Sequence, residues 1–104
     1  MRKLNQPEAS EMNLTTILKA LSDPYRLKIV FCLAQTGEKN CSAFQGDTIS
    51  KSTLSHHVKL LREAGVLQLR IDGKQHFYSI RWDGLNEYFP GLLQLILQTE
   101  EVRI

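Results

Sequence analysis

Four polar side chains at helical spacing carry the most pointed chemistry in this sequence. Ser52, Ser55, His56 and Lys59 lie in the stretch 50–66, Ser-Lys-Ser-Thr-Leu-Ser-His-His-Val-Lys-Leu-Leu-Arg-Glu-Ala-Gly-Val. At about 100° per residue, Ser52, His56 and Lys59 fall on the face opposite Leu54, Val58 and Leu61, with Ser55 at its margin. Hydroxyl, imidazole and ammonium groups gathered there can donate to phosphate oxygens and to base edges in a DNA major groove. Glu63 is the only acid near that face. A solvated polar face on any amphipathic helix looks the same, so the surrounding elements have to decide between the two.

The stretch is punctuated as a helix. Ser50 is a good N-cap, because its hydroxyl accepts from a first-turn N–H. Leu60 and Ala64 widen the apolar face, and Gly65 can turn left-handed and stop the helix. Upstream, Asn13 caps a helix with Leu14, Ile17, Leu18 and Leu21 on one side, ending near Ser22. Asp23 then caps a second helix over about 24–35, with Pro24 in its first turn. Leu27, Ile29, Val30, Phe31, Cys32 and Leu33 make that helix apolar almost all round, so it is expected at the buried centre. Thr36-Gly37 closes it. Asn40 is expected to cap a short helix over 41–45, and Gly46-Asp47 reads as a turn. Two helices joined by a tight turn, the second polar outside, is helix-turn-helix geometry.

After Gly65 the period changes to two. Leu67, Leu69 and Ile71 alternate with Gln68 and Arg70. Asp72-Gly73 is a hairpin signal. The return strand over 75–81 sends Tyr78 and Ile80 to one face and Phe77 and Ser79 to the other. Arg70, Lys74, Gln75 and His76 decorate the hairpin. A basic hairpin just after a recognition-like helix can act as a wing reaching a neighbouring groove or backbone. Asp83 is expected to cap a last helix over 84–101, interrupted at Pro90-Gly91. Its Leu85, Tyr88, Phe89, Leu92, Leu93, Leu95, Ile96 and Leu97 are too many apolar groups for the back of one small domain. Pairing with a second copy, joined by Leu14 and Leu18 of the first helix, would cover them. The predicted fold class is mainly α with a small β-hairpin, in the order helix, helix, short helix, helix, hairpin, helix.

Bulk properties agree. A chain of 104 residues is expected to make one domain over 1–104, with residues 1–10, which include Pro7, as a flexible arm. The net charge of +2 is uninformative, but its distribution is not. Residues 51–81 hold Lys51, Lys59, Arg62, Arg70, Lys74 and Arg81 against Glu63 and Asp72. Residues 82–104 hold Arg103 against Asp83, Glu87, Glu100 and Glu101. A basic middle suits a polyanion, and an apolar, mildly acidic tail suits a protein partner. The apolar run 92–97 is too short to span a bilayer, so no membrane partner is expected. No signal peptide is evident in 1–12, which makes the cytoplasm the expected location and leaves Cys32 and Cys41 as thiols. There is no phosphate loop, no His/Glu metal motif and no nucleophile spaced from a base, so neither an enzyme nor a cofactor is expected.

Four stretches together resemble the ArsR/SmtB family of winged helix-turn-helix regulators. They are Leu-Lys-Ala-Leu-Ser-Asp-Pro-Tyr-Arg-Leu-Lys-Ile-Val (18–30), the 50–66 stretch, Asp-Gly-Lys (72–74) and Phe-Tyr-Ser-Ile (77–80). The likeness covers about residues 14–100. It implies a homodimeric repressor that binds an inverted-repeat operator in double-stranded DNA and leaves it when an effector binds. It places Lys51, Ser52, Ser55, His56 and Lys59 toward the groove and its phosphates. Arg70 and Lys74 of the wing would hold phosphates, and Leu14, Leu18, Leu85, Tyr88, Phe89, Leu92, Leu93 and Ile96 would form the dimer interface. The family's metal-sensing patterns are not matched. Where those members carry Cys-x-Cys, this chain reads Cys41-Ser42-Ala43, and residues 84–101 contain no His. His56 and His57 are adjacent and diverge by about 100°, so they cannot chelate together. A thiol switch through Cys41, with or without Cys32, is one alternative. A winged-helix module for protein contacts is another.

Overall fold

Two side-chain caps set the first pair of helices. The computed structural model describes residues 7–40 and 50–99. Asn13 accepts from the Thr16 N–H at 2.8 Å and opens α1, Leu14–Leu21. Asp23 accepts from the Arg26 N–H at 3.0 Å and opens α2, Pro24–Thr36. Gly37, at φ +82°, ends α2, and its N–H reaches the Leu33 carbonyl. Ile29, Val30 and Leu33 of α2 are buried, whereas Leu27, Phe31 and Cys32 are half-buried. The helix therefore lies at the centre with one flank partly open.

The chain then departs from expectation. Lys39–Asn40 form a short strand, β1, that the sequence did not announce. The free edge of a strand far along the chain offers unpaired N–H and C=O groups, and β1 satisfies them. The helix expected over 41–45, the Gly46-Asp47 turn and Cys41 lie outside the described residues.

Helix α3, Lys51–Glu63, begins where the sequence places it, with the Ser50 hydroxyl accepting from the Thr53 N–H at 3.2 Å. Leu54, Val58 and Leu61 are buried. Gly65 ends the helix at φ +90°. The Gly65 N–H bonds the Arg62 carbonyl and the Val66 N–H bonds the Leu61 carbonyl, the paired bonds of a Schellman motif. Gly65 is fixed by crowding as well, because a Cβ there would collide with Sδ and Cγ of Met12. That contact reflects a second departure. The arm expected over 1–10 is docked from Pro7 onward. Residues Ala9–Glu11 form a 3-10 turn, Met12 is buried over Gly65, and Arg81 Nη1 donates to the Pro7 carbonyl.

Strands β2, Leu67–Asp72, and β3, Gln75–Ile80, form the hairpin. With β1 they make an antiparallel sheet in the order β1-β3-β2. Asp72 pairs with Gln75, so the turn residues are Gly73 and Lys74, one position beyond the expected Asp72-Gly73. Gly73 takes φ +63°, as a two-residue hairpin turn of this hand requires. Burial fades along the hairpin. The pair Leu67–Ile80 is buried, Leu69 is half-buried beside buried Tyr78, and Ile71 and His76 are exposed. The wing is rooted in the core and projects from it.

The last helix is two pieces, α4, Trp82–Tyr88, and α5, Leu92–Leu97, broken at the expected Pro90-Gly91. Asp83 is not the cap. Arg81 occupies that position without a side-chain bond, and Asp83 sits inside the first turn, where its charge faces the positive helix end. Leu85 and Leu93 belong to the domain core with Ile17, Val30, Val58 and Val66.

Candidate nucleic-acid interface

The burial of Leu54, Val58 and Leu61 settles which way α3 faces. Lys51, Ser52, Ser55, His56 and Lys59 are all exposed on the other side. The hydroxyls of Ser50, Ser52 and Thr53 gather at the helix start: Ser50 Oγ lies 2.8 Å from Thr53 Oγ1 and 3.3 Å from Ser52 Oγ. Lys74 stands exposed at the tip of the wing. The projecting hairpin follows α3 after only the Ala64-Gly65-Val66 corner.

Arg70 is held in a way that sequence spacing did not show. Its Nε and Nη2 donate to the two carboxylate oxygens of Glu38 at 2.9 and 2.7 Å. Asp72 lies 3.8 Å from Nη1. The guanidinium also sits over the Phe77 ring, 4.6 Å from its centroid. The hydrogen bonds from Arg70 hold the Glu38 carboxyl below the usual glutamate range, and Glu38 in turn raises Arg70. The cause is register. Both Arg70 and Asn40 pair with Phe77 from opposite sides, so β1 brings the end of the α2–β1 connection beside the wing. Arg70 is thus already paired with Glu38 on the single chain, at an exposed position on the wing.

Sequence reasoning missed His57 and its partners Tyr25 and Arg26. Asp-Pro-Tyr-Arg was legible only as a helix start, and nothing local says that its Arg faces another helix. Of the two cysteines, Cys32 lies among the described residues and is a half-buried free thiol. Among the described residues, no three His, Cys, Asp or Glu side chains converge to hold a metal ion. No helix there is long and apolar enough to cross a membrane.

The apolar surface also needs one correction. Leu14, Leu18 and Tyr88 are exposed at 45–46%, and Leu95 at 66%. Phe89, Leu92 and Ile96 are half-buried. Leu85 and Leu93, expected at a dimer interface, are each 2% exposed and face inward within the single chain. The helix break turns their side of α4 and α5 onto the core and leaves a narrower outer patch.

Comparison with known proteins fits this geometry. A helix-turn-helix domain family matches residues 21–70, from the end of α1 into β2. The arsenical resistance operon repressor of Staphylococcus xylosus is 36% identical over 92 residues, covering 88% of this chain and 88% of the relative. The chain belongs to the ArsR/SmtB family. An uncharacterised helix-turn-helix transcriptional regulator of Bacillus subtilis, YceK, is 39% identical over 82 residues, or 77% of this chain and 82% of that one. The crystal structure of the transcriptional repressor BigR from Xylella fastidiosa superposes with a TM-score of 0.56 at 31% identity, over 72% of this chain and 84% of BigR. The chain is thus a winged helix-turn-helix transcriptional regulator of the ArsR/SmtB family, and the matched domain spans α2, α3 and the start of β2.

Proposed function

We propose that the protein is a homodimeric transcriptional repressor that binds an inverted-repeat operator in the cytoplasm and leaves it when an effector binds. The exposed face of α3 carries the proposal. It combines groups that donate to bases with groups that hold phosphates, on a helix whose opposite face is locked into the core. Ser52, Ser55 and His56 read base edges. Lys51, Lys59 and Lys74 hold phosphates, and Arg70 does so if Glu38 yields it. Phosphate contacts set position and affinity, and base contacts set sequence preference.

Two copies pair through Leu14 and Leu18 of α1 with Tyr88, Phe89, Leu92, Leu95 and Ile96 of the C-terminal helices. Four of these are large apolar groups well exposed on the single chain, and a two-fold contact would cover them. Such a dimer presents its two α3 helices about 34 Å apart, one turn of DNA. An effector acts by favouring a dimer with a different spacing.

Binding of an inverted-repeat duplex from the protein's own promoter is to be compared with a random duplex of the same length, across a salt series. A repressor prefers the inverted repeat at moderate salt and loses affinity steeply as salt rises, through counterion release. Equal binding of both duplexes at moderate salt would refute the reading.

A further inference from the structure

The recognition helix carries a second histidine that the DNA-facing surface does not use. His57 is 14% exposed in its side chain. Its ring stacks on Tyr25, with centroids 5.4 Å apart and planes inclined by 26°. Its Nδ1 lies 3.1 Å from Arg26 Nη1. A guanidinium only donates, so Nδ1 is the acceptor and the ring proton sits on Nε2. Arg26 holds two further groups. Its Nε donates to the Ala20 carbonyl near the end of α1, and its backbone N–H donates to the capping carboxylate of Asp23. That carboxylate lies 4.0 Å from the same Nδ1. Arg26 also lines a cleft shared with Thr16 and Lys19 of α1 and Leu60 and Glu63 of α3. One side chain therefore ties the end of α1 and the start of α2 to the middle of α3.

We propose that Arg26 and His57 form a clamp that sets the rotation of α3 about its own axis, and with it the sequence preference of the DNA-reading face. Both are positioning residues; neither touches DNA. The buried Leu54, Val58 and Leu61 decide which side of α3 faces inward. Apolar contacts are non-directional, however, and tolerate small rotations. A hydrogen bond from a planar guanidinium does not. A rotation of about 10° moves atoms at the helix surface, roughly 5 Å from the axis, by about 1 Å. That is enough to misalign base-edge hydrogen bonds from His56 and Ser52, while leaving long, flexible lysines on their phosphates. The clamp should therefore govern discrimination between DNA sequences and leave general affinity alone.

This inference rests on the DNA-binding reading above. The test uses the full chain with His57→Asn, His57→Gln and Arg26→Lys. Affinities are measured for the inverted-repeat duplex and a random duplex, and thermal melting monitors folding. The Asn carbonyl falls near the position of Nδ1, so His57→Asn should keep the ratio of the two affinities within about twofold. The Gln carbonyl sits one bond farther out. His57→Gln should lose about tenfold in the ratio, with random-duplex affinity unchanged. Arg26→Lys cannot serve Ala20 and His57 together, and should match His57→Gln. A native ratio in His57→Gln, or equal loss in the Asn and Gln variants, overturns the clamp. If the Gln variant melts too low to assay, a native ratio in Arg26→Lys overturns it. Lack of preference in the unmutated chain is a different failure, which removes the DNA-binding reading itself.

Discussion

Single side chains on α3 divide by what they can know about a sequence. An ammonium on a phosphate carries no sequence information, and an imidazole on a base edge does. Lys59→Ala should weaken operator and random duplexes about equally and reduce the salt slope by about one. His56→Ala should lower the operator preference by about 1 kcal/mol while leaving random binding nearly intact. Paired anisotropy titrations check both, and a selective loss in Lys59→Ala would show the two roles reversed. On the wing, a duplex must compete with Glu38 for Arg70. Glu38→Gln should release Arg70 and raise duplex affinity severalfold at low salt, and unchanged affinity would mean that Arg70 stays a structural anchor. The Glu38 carboxyl is held below its ordinary range, so the pair is intact above that range and is lost as pH falls through the lowered folded value.

The elements themselves rest on local devices whose loss has a calculable size. Asp23→Ala removes the cap of α2 and should cost about 1 kcal/mol in urea unfolding at neutral pH. The Asp23 carboxyl is lowered, first by the hydrogen bond from the Arg26 N–H. A depressed folded value adds stability above the unfolded one and loses it as pH falls below. The difference between Asp23→Ala and the parent should therefore shrink in acid, below the ordinary aspartate range. Gly65→Ala meets two penalties, a positive φ and the collision with Met12. Together these should cost roughly 2–4 kcal/mol. If Gly65→Ala unfolds at the parent's midpoint, the docking of residues 7–12 over α3 is wrong. The caps at Asn13, Asp23 and Ser50, the stops at Gly37 and Gly65 and the Pro90-Gly91 break were legible in the sequence because each acts within a few residues. Asp83, expected as a cap, is not one. The turn position was not legible. Asp72-Gly73 and Gly73-Lys74 are both plausible turn pairs, and only the pairing of Leu67 with Ile80 on the core side fixes the register.

At the scale of the molecule, the same apolar composition supplies the core and the proposed dimer interface, and exposure separates the two. Leu18→Glu should dissociate the dimer and abolish operator binding while the chain stays folded, as sedimentation and circular dichroism together would show. A dimer that persisted would move the interface elsewhere. Leu93→Ala should act differently. It opens a cavity in the core and should cost about 2–5 kcal/mol of stability wherever the dimer forms. From sequence, Leu18 and Leu93 are equivalent members of apolar helices. Only the packing of the elements leaves Leu18 outward on α1 and, with the break at 89–91, turns Leu93 of α5 onto the core.

By itself the sequence determined the order of helices and hairpin, the polar face of α3 and the family. These follow from periodicity, caps and contiguous motifs, which are properties of neighbours along the chain. The tertiary structure alone decided four things: that Lys39–Asn40 is a strand, that Arg70 is held by Glu38, that Pro7 to Met12 close over Gly65, and that His57 is gripped by Arg26. Each joins residues about thirty or more positions apart. Such contacts depend on packing angle and register between elements, which no local pattern encodes. The polar face of Ser52, Ser55, His56 and Lys59 was readable from its own spacing. What holds that face at its angle is Arg26, a residue on another helix.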